Sequence, residues 1–218
     1  MALLDRLRRL VAPTPVPRPA ARGSATTWGP DEDLRRRLLA DPNDAAAFGA
    51  LAESVRRRAG DEPTSNPLAA PSEEPSHAAD LAVWALAEDL AGNPRAWFPL
   101  VELARLSVDD DREGALRRLT TAAERDPSGR ALAEGMAVLR EAGLPVEALG
   151  LGVGHWRARE HDPGVGRQLV LAALEAERPA EARHHLESID LHPDHAAVEA
   201  LRVELEPVVA RAERRAER

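Results

Sequence analysis

The feature that most constrains the fold is a punctuation mark. An acidic or amide residue followed by proline recurs at Asp41-Pro42, Asn93-Pro94, Asp126-Pro127 and Asp162-Pro163, with His192-Pro193 as a variant. Successive prolines of the set lie 52, 33, 36 and 30 residues apart, and removing the Pro-rich stretch 60–77 shortens the first interval to 34. A residue before proline is pushed out of helical geometry, whereas proline itself suits a first helical turn. Each pair is therefore expected to end one helix and begin another. Between the pairs Ala, Leu, Arg and Glu dominate, β-branched runs are missing, and apolar residues recur every three or four positions. A helical pattern with a period near 34 is the mark of a helical-hairpin array.

Residue usage excludes several chemistries. Cys and Lys are absent, all 29 basic residues being Arg. Thiolate nucleophiles, Cys-ligated metals, phosphate-loop lysines and Schiff-base lysines are thereby removed. Aromatic residues are only 3% of the chain, poor material for stacking bases. Arg-only, Ala- and Pro-rich usage is also what a GC-rich coding bias produces, so no single Arg is singled out on that ground. The net charge of −8 is unevenly spread. Residues 1–22 hold five Arg against Asp5, a net +4, which leaves −12 on the remainder. An acidic body disfavours a phosphate backbone, whose binding depends on charge neutralisation, so nucleic acid is not an expected partner. No apolar run is long enough to span a bilayer.

Residues 1–11 read as a short amphipathic helix. Leu3, Leu4, Leu7 and Leu10 or Val11 share a face beside Arg6, Arg8 and Arg9. Arg interrupts the apolar stretch a secretory signal needs. A segment this short is not stable alone in water, where roughly 12–15 residues are already marginal, so a membrane, a partner or the body of the same chain must support it. Residues 12–30, with five prolines, read as an extended linker, and residues 60–77 as a long loop inserted into the folded part. Residues 31–206 form the repeat region, with a polar capping helix from Asp194 and a charged tail over 207–218.

With these units laid out, the chain resembles the tetratricopeptide repeat family. The clearest unit offers Leu100, Leu103 and Ala104, then Ala115, Leu119 and Ala122. The one before it has Phe48, Leu51, Ala52 and Val55, then Ala82 and Leu86. The last has Leu169, Ala172 and Ala173, then Ala182, Leu186 and Ile189. In the third, Ala133, Met136 and Ala137 fit. Small residues let helices approach closely, large ones fill the adjoining holes, and each hairpin must stack to cover its apolar face. The resemblance implies an all-α, right-handed solenoid of about four hairpins. It also implies a cytoplasmic adaptor or scaffold that is no enzyme, holding another protein's segment on its concave face. By register that face takes Glu53, Arg56, Val101, Arg105, Glu134, Val138, Glu141, Arg167 and Val170. Those positions hold no Lys or Asn, so the family's carboxylate clamp for C-terminal tails is expected to be absent.

Residues 143–166 hold six of the 14 glycines. Gly150 and Gly154 share a helical face, which points to close contact with a neighbouring helix. A second reading makes the stretch around His155, Trp156 and Arg157 a thinned surface for a ligand or partner backbone, because Trp and Arg are common at binding hot spots. Six of the seven His lie between positions 155 and 195. Their spacing lacks a His-Glu-x-x-His pattern, and surface histidines at a helix end are the reading adopted, with no catalytic residue, metal or cofactor assigned. Two alternatives to the adaptor stand open: a peripheral subunit tethered to a membrane or larger complex through residues 1–11, and a His-rich metal-dependent protein.

Overall fold

The computed structural model describes residues 29–61 and 74–218, and among them every regular element is a helix. There are ten: α1 (Pro30–Ala40), α2 (Ala45–Asp61), α3 (Glu74–Ala91), α4 (Phe98–Ser107), α5 (Arg112–Arg125), α6 (Arg130–Glu141), α7 (Pro145–His155), α8 (Gly164–Glu175), α9 (Pro179–Ile189) and α10 (His195–Ala216). Each packs on the next, and α4, α6, α8 and α10 also touch in succession. The result is an all-α array of four hairpins, α2/α3, α4/α5, α6/α7 and α8/α9, with α1 before them and α10 after. The expected amphipathic helix over 1–11, nearly all of the linker 12–30 and the centre of the insertion lie outside the described residues. Helix α2 continues through Asp61 and α3 begins at Glu74, so the helices reach into the stretch read as loop.

The recurrent acid-proline pair has a different local role from the one expected. None of its prolines opens a helix in the first-turn position. The residue before proline instead folds its side chain over the turn and accepts the N–H two residues on. Asp41 accepts from Asn43, Asn93 from Arg95, Asp126 from Ser128 and Asp162 from Gly164, at 2.7–3.1 Å. In the variant pair, His192 Nδ1 accepts from Asp194 at 3.1 Å. Proline between them has no N–H to offer, and the side-chain bond adds to a backbone bond that the residue three on donates to the carbonyl of Asp41, Asn93, Asp126 and Asp162. These five turns join successive hairpins or lead into α10, apart from the first, which joins α1 to α2. The prolines that do occupy the first helical turn include Pro145 and Pro179, within hairpins.

Two of the within-hairpin turns are copies of one another. Gly143 (φ +72°) and Glu177 (φ +59°), 34 residues apart, both occupy the left-handed region. Leu144 N–H bonds to Leu139 C=O, and Arg178 N–H to Ala173 C=O. This closes each helix by the same left-handed cap, which glycine accepts freely and Glu177 adopts at a cost of about 1–2 kcal/mol.

Small and large side chains alternate through the core. Ala104, Ala115, Ala122, Ala131, Ala148, Ala172 and Ala182 are fully buried alongside Leu51, Leu119, Leu139, Leu169 and Leu186. The expected register holds in the second and fourth hairpins. In α3 it is displaced by one: Val83 and Ala87 are buried, while Ala82 and Leu86 sit at the margin. In α6 the core takes Ala131, Leu132, Met136 and Leu139, leaving Ala133 and Ala137 half-buried. The expected boundary at 206 is also absent. Helix α10 runs 22 residues with Pro207 inside it, and buried Leu205 and Val209 pack on either side of that proline.

Candidate binding faces

The first helices α4, α6 and α8, with α10, expose one continuous charged side. Their outward residues pair across the seams. Arg105 Nη1 donates to Glu141 at 2.8 Å, Arg140 Nη2 to Glu175 at 2.5 Å, and Arg167 Nε to Glu204 at 2.8 Å. Each bond joins a first helix to the next first helix or to α10, over 35–37 residues of sequence. Charges on this side are thus tied into a ladder that fixes the helices against one another, with modest energy at each exposed rung. Glu53 stands 4.0 Å from Arg57 within α2. Arg56 and Glu134 are exposed and have no ion-pair partner among the described residues.

Three residues carried over to this face do not belong to it. Val101, Val138 and Val170 are 0%, 2% and 0% exposed and lie in the core. The register carried over from sequence mixes outward charged positions with these three core positions on the same helices. Their apolar side chains turn inward, as a burial energy of roughly 1.5–3 kcal/mol each favours. The carried-over positions that do stay outward on α4 and α6 are Arg105, Glu134 and Glu141.

Around the α7–α8 connection the structure separates the glycines by role. Gly150 and Gly154, expected at a close helix contact, are exposed and have nothing within 4 Å of where a Cβ would stand. The close approach is at Gly152, where a Cβ would come 2.7 Å from Leu169 Cδ2 and Met136 Cε, and at Gly166, where it would meet Ile189 Cγ1 at 2.5 Å. Trp156 does not project outward as a binding anchor. Its half-buried ring packs beside Gly166 and meets the His185 ring edge-on at 6.3 Å. His155 bonds back to Leu151 C=O at 3.0 Å, and exposed Arg157 lies 3.4 Å from Glu160.

The histidines disperse. His161 is buried, resting on Gly129 at the turn before α6 and accepting from Arg157 Nε at 3.2 Å. His185 is buried beneath Trp156, whereas His184 is exposed. Burial lowers the pKa of both His161 and His185, with the neighbouring Arg157 adding to the effect at His161 and Glu181 opposing it at His185. Among the described residues no three His, Asp or Glu side chains converge as metal ligands.

Sequence reasoning missed the side chains that tie one turn to the next. Asn43 Oδ1 accepts the N–H groups of both Trp97 and Phe98, while its Nδ2 donates to Arg95 C=O. Arg125 Nη1 reaches the carbonyls of Ala91, Asn93 and Ala96 at 2.8–3.1 Å. The only sequence signal was their position beside the acid-proline pairs.

These features define an all-α array of sequentially packed hairpins with a ladder of inter-helix ion pairs along its first helices. No family model, curated protein or solved structure matches the chain. No helix among the described residues is long and apolar enough to cross a membrane.

Proposed function

We propose that the chain is a tetratricopeptide-like binding module that holds a segment of another protein along its first-helix side. The observation that carries this reading is the direct succession of α4, α6, α8 and α10, which gives one continuous surface instead of isolated helices. Its outward groups are charged and spaced by the repeat, so an extended polypeptide meets the same kind of side chain at each step. Exposed ion pairs are individually weak, and a partner's charges can replace one member of a rung at little cost. Arg56 and Glu134 already stand without an ion-pair partner among the described residues.

Cross-linking mass spectrometry on the intact protein in its native cell tests the proposal. The linker must react with carboxylates, since the chain has no Lys. Cross-links to one partner should fall on Glu53, Glu134 and Glu141, and the double change Arg56→Glu, Glu134→Arg should reduce partner recovery at least tenfold while helicity is unchanged. Cross-links confined to α5, α7 and α9, or full recovery with the double variant, would overturn it.

A further inference from the structure

A cleft of about 420 Å³ opens where α3, α4 and α5 meet. Leu81 on its rim is 55% exposed although Val83, Leu86, Ala87 and Leu90 of the same helix pack inward, and half-buried Trp84 and Leu106 form the apolar floor. Asp80 and Asp110 stand at the edges without ion-pair partners among the described side chains. The one basic group, Arg118, is already engaged: it stacks 5.0 Å from the Trp84 ring, donates to Ser107 Oγ and lies 3.6 Å from Asp111. An apolar trough with unanswered negative charge at its rim suits a basic amphipathic segment.

The chain supplies one. In a helical register, residues 1–11 would place Leu3, Leu4, Leu7 and Leu10 on one side with Arg6, Arg8 and Arg9 beside them. The inserted stretch 62–73 is a poor match, having two Glu, no basic residue and a single Leu. We propose that residues 1–11 dock as a helix on this cleft, their leucines against Leu81, Trp84 and Leu106 and their arginines toward Asp80 and Asp110. The 17 residues 12–28 bridge up to about 56 Å when extended. From the start of α1 the cleft lies two helix packings away, α1 on α2 and α2 on α3, at roughly 8–10 Å each. Reach is therefore ample. Docking also supplies the support that so short a helix lacks in water. The cleft is then a site for basic amphipathic helices that the chain fills itself, a conclusion independent of what the first-helix side binds.

The absence of Cys allows a single nitroxide label at Ala2→Cys on the full-length, ¹⁵N-labelled protein. The amide signals of Leu81, Trp84, Leu106 and Asp110 should lose half or more of their intensity relative to the reduced label. They should recover with Leu4→Glu plus Leu7→Glu on the arm, or with Leu81→Glu on the cleft, an exposed position at which a polar residue leaves the fold intact. They should also recover partly at about 1 M NaCl, where the Debye length is about 3 Å. Broadening elsewhere, or none, would overturn the proposal. So would broadening seen only when labelled and ¹⁵N chains are mixed, which shows docking between molecules. Immobilisation of the label by phosphatidylserine vesicles, with the cleft amides sharp in their absence, makes the arm a membrane anchor and overturns it too.

Discussion

His161 and His185 show what burial does to a single titratable side chain. His161 is 2% exposed and His185 7%, and each has one ring nitrogen without a hydrogen-bond partner. Burial disfavours their charged forms, so both have folded pKa values below the ordinary 6.5. Glu160 and Asp126 pull His161 the other way, as Glu181 does His185, without cancelling the effect of burial. As pH falls below 6.5 the unfolded chain takes up protons that the folded chain refuses, and stability drops. The loss grows as the pH falls for as long as the folded ring stays neutral. Urea midpoints at pH 7.5 and 5.5 should differ more for the natural chain than for a His161→Gln, His185→Gln variant. Equal differences would show that neither ring is held neutral.

At the scale of elements, α10 is the most instructive. Sequence reading ended the repeat region at 206 and took the Arg/Glu alternation beyond it for a charged tail. The helix continues because tertiary contacts outweigh the local penalty. An interior proline costs about 3 kcal/mol, and Val209 buries fully beyond it. Arg183 on α9 clasps both sides of the break, donating to Glu206 at 2.5 Å and to both oxygens of Glu213 at 2.8–2.9 Å. These bonds lower the Glu213 pKa below its ordinary value. Removing the clasp with Arg183→Ala should fray residues 208–216, seen as faster amide exchange there with α8 and the first half of α10 unchanged. Adding Pro207→Ala should restore protection. If Arg183→Ala leaves exchange unaltered, buried Val209 alone holds the segment.

The same contrast explains what the sequence showed of the other elements. Repeat spacing and small–large alternation were legible because each hairpin solves the same packing problem, so the second and fourth units were placed residue by residue. Register was lost in α3, where an insertion of no fixed phase precedes the helix. It was lost again in α6, which begins after a left-handed Gly129 (φ +82°) covered by His161, a contact across 32 residues that no local pattern announces. The binding face went wrong separately: Val101 and Val170 lie in hairpins whose core was read correctly, yet they and Val138 were carried over as groove residues although all three are buried.

For the molecule as a whole, the decisive property is that the main helix contacts among the described residues run between near neighbours along the array. Helix α5 packs against α4, α6 and α7, with α8 to α10 held through other helices. Stability in such an array is a sum of unit and interface contributions, and lesions propagate by proximity. Leu119, fully buried on α5, is a suitable place to cut. Leu119→Ala should cost about 2–5 kcal/mol at its own unit. A single shared core would spread that loss evenly, because global unfolding would be the only route to exchange for every protected amide. In the array, hydrogen exchange should accelerate most in α4 and α5, less in α6 and α7, and least in α8 to α10. Uniform acceleration in all ten helices would mean that the hairpins unfold as one cooperative body, and that the surface along the first helices opens or persists as a unit instead of loosening rung by rung.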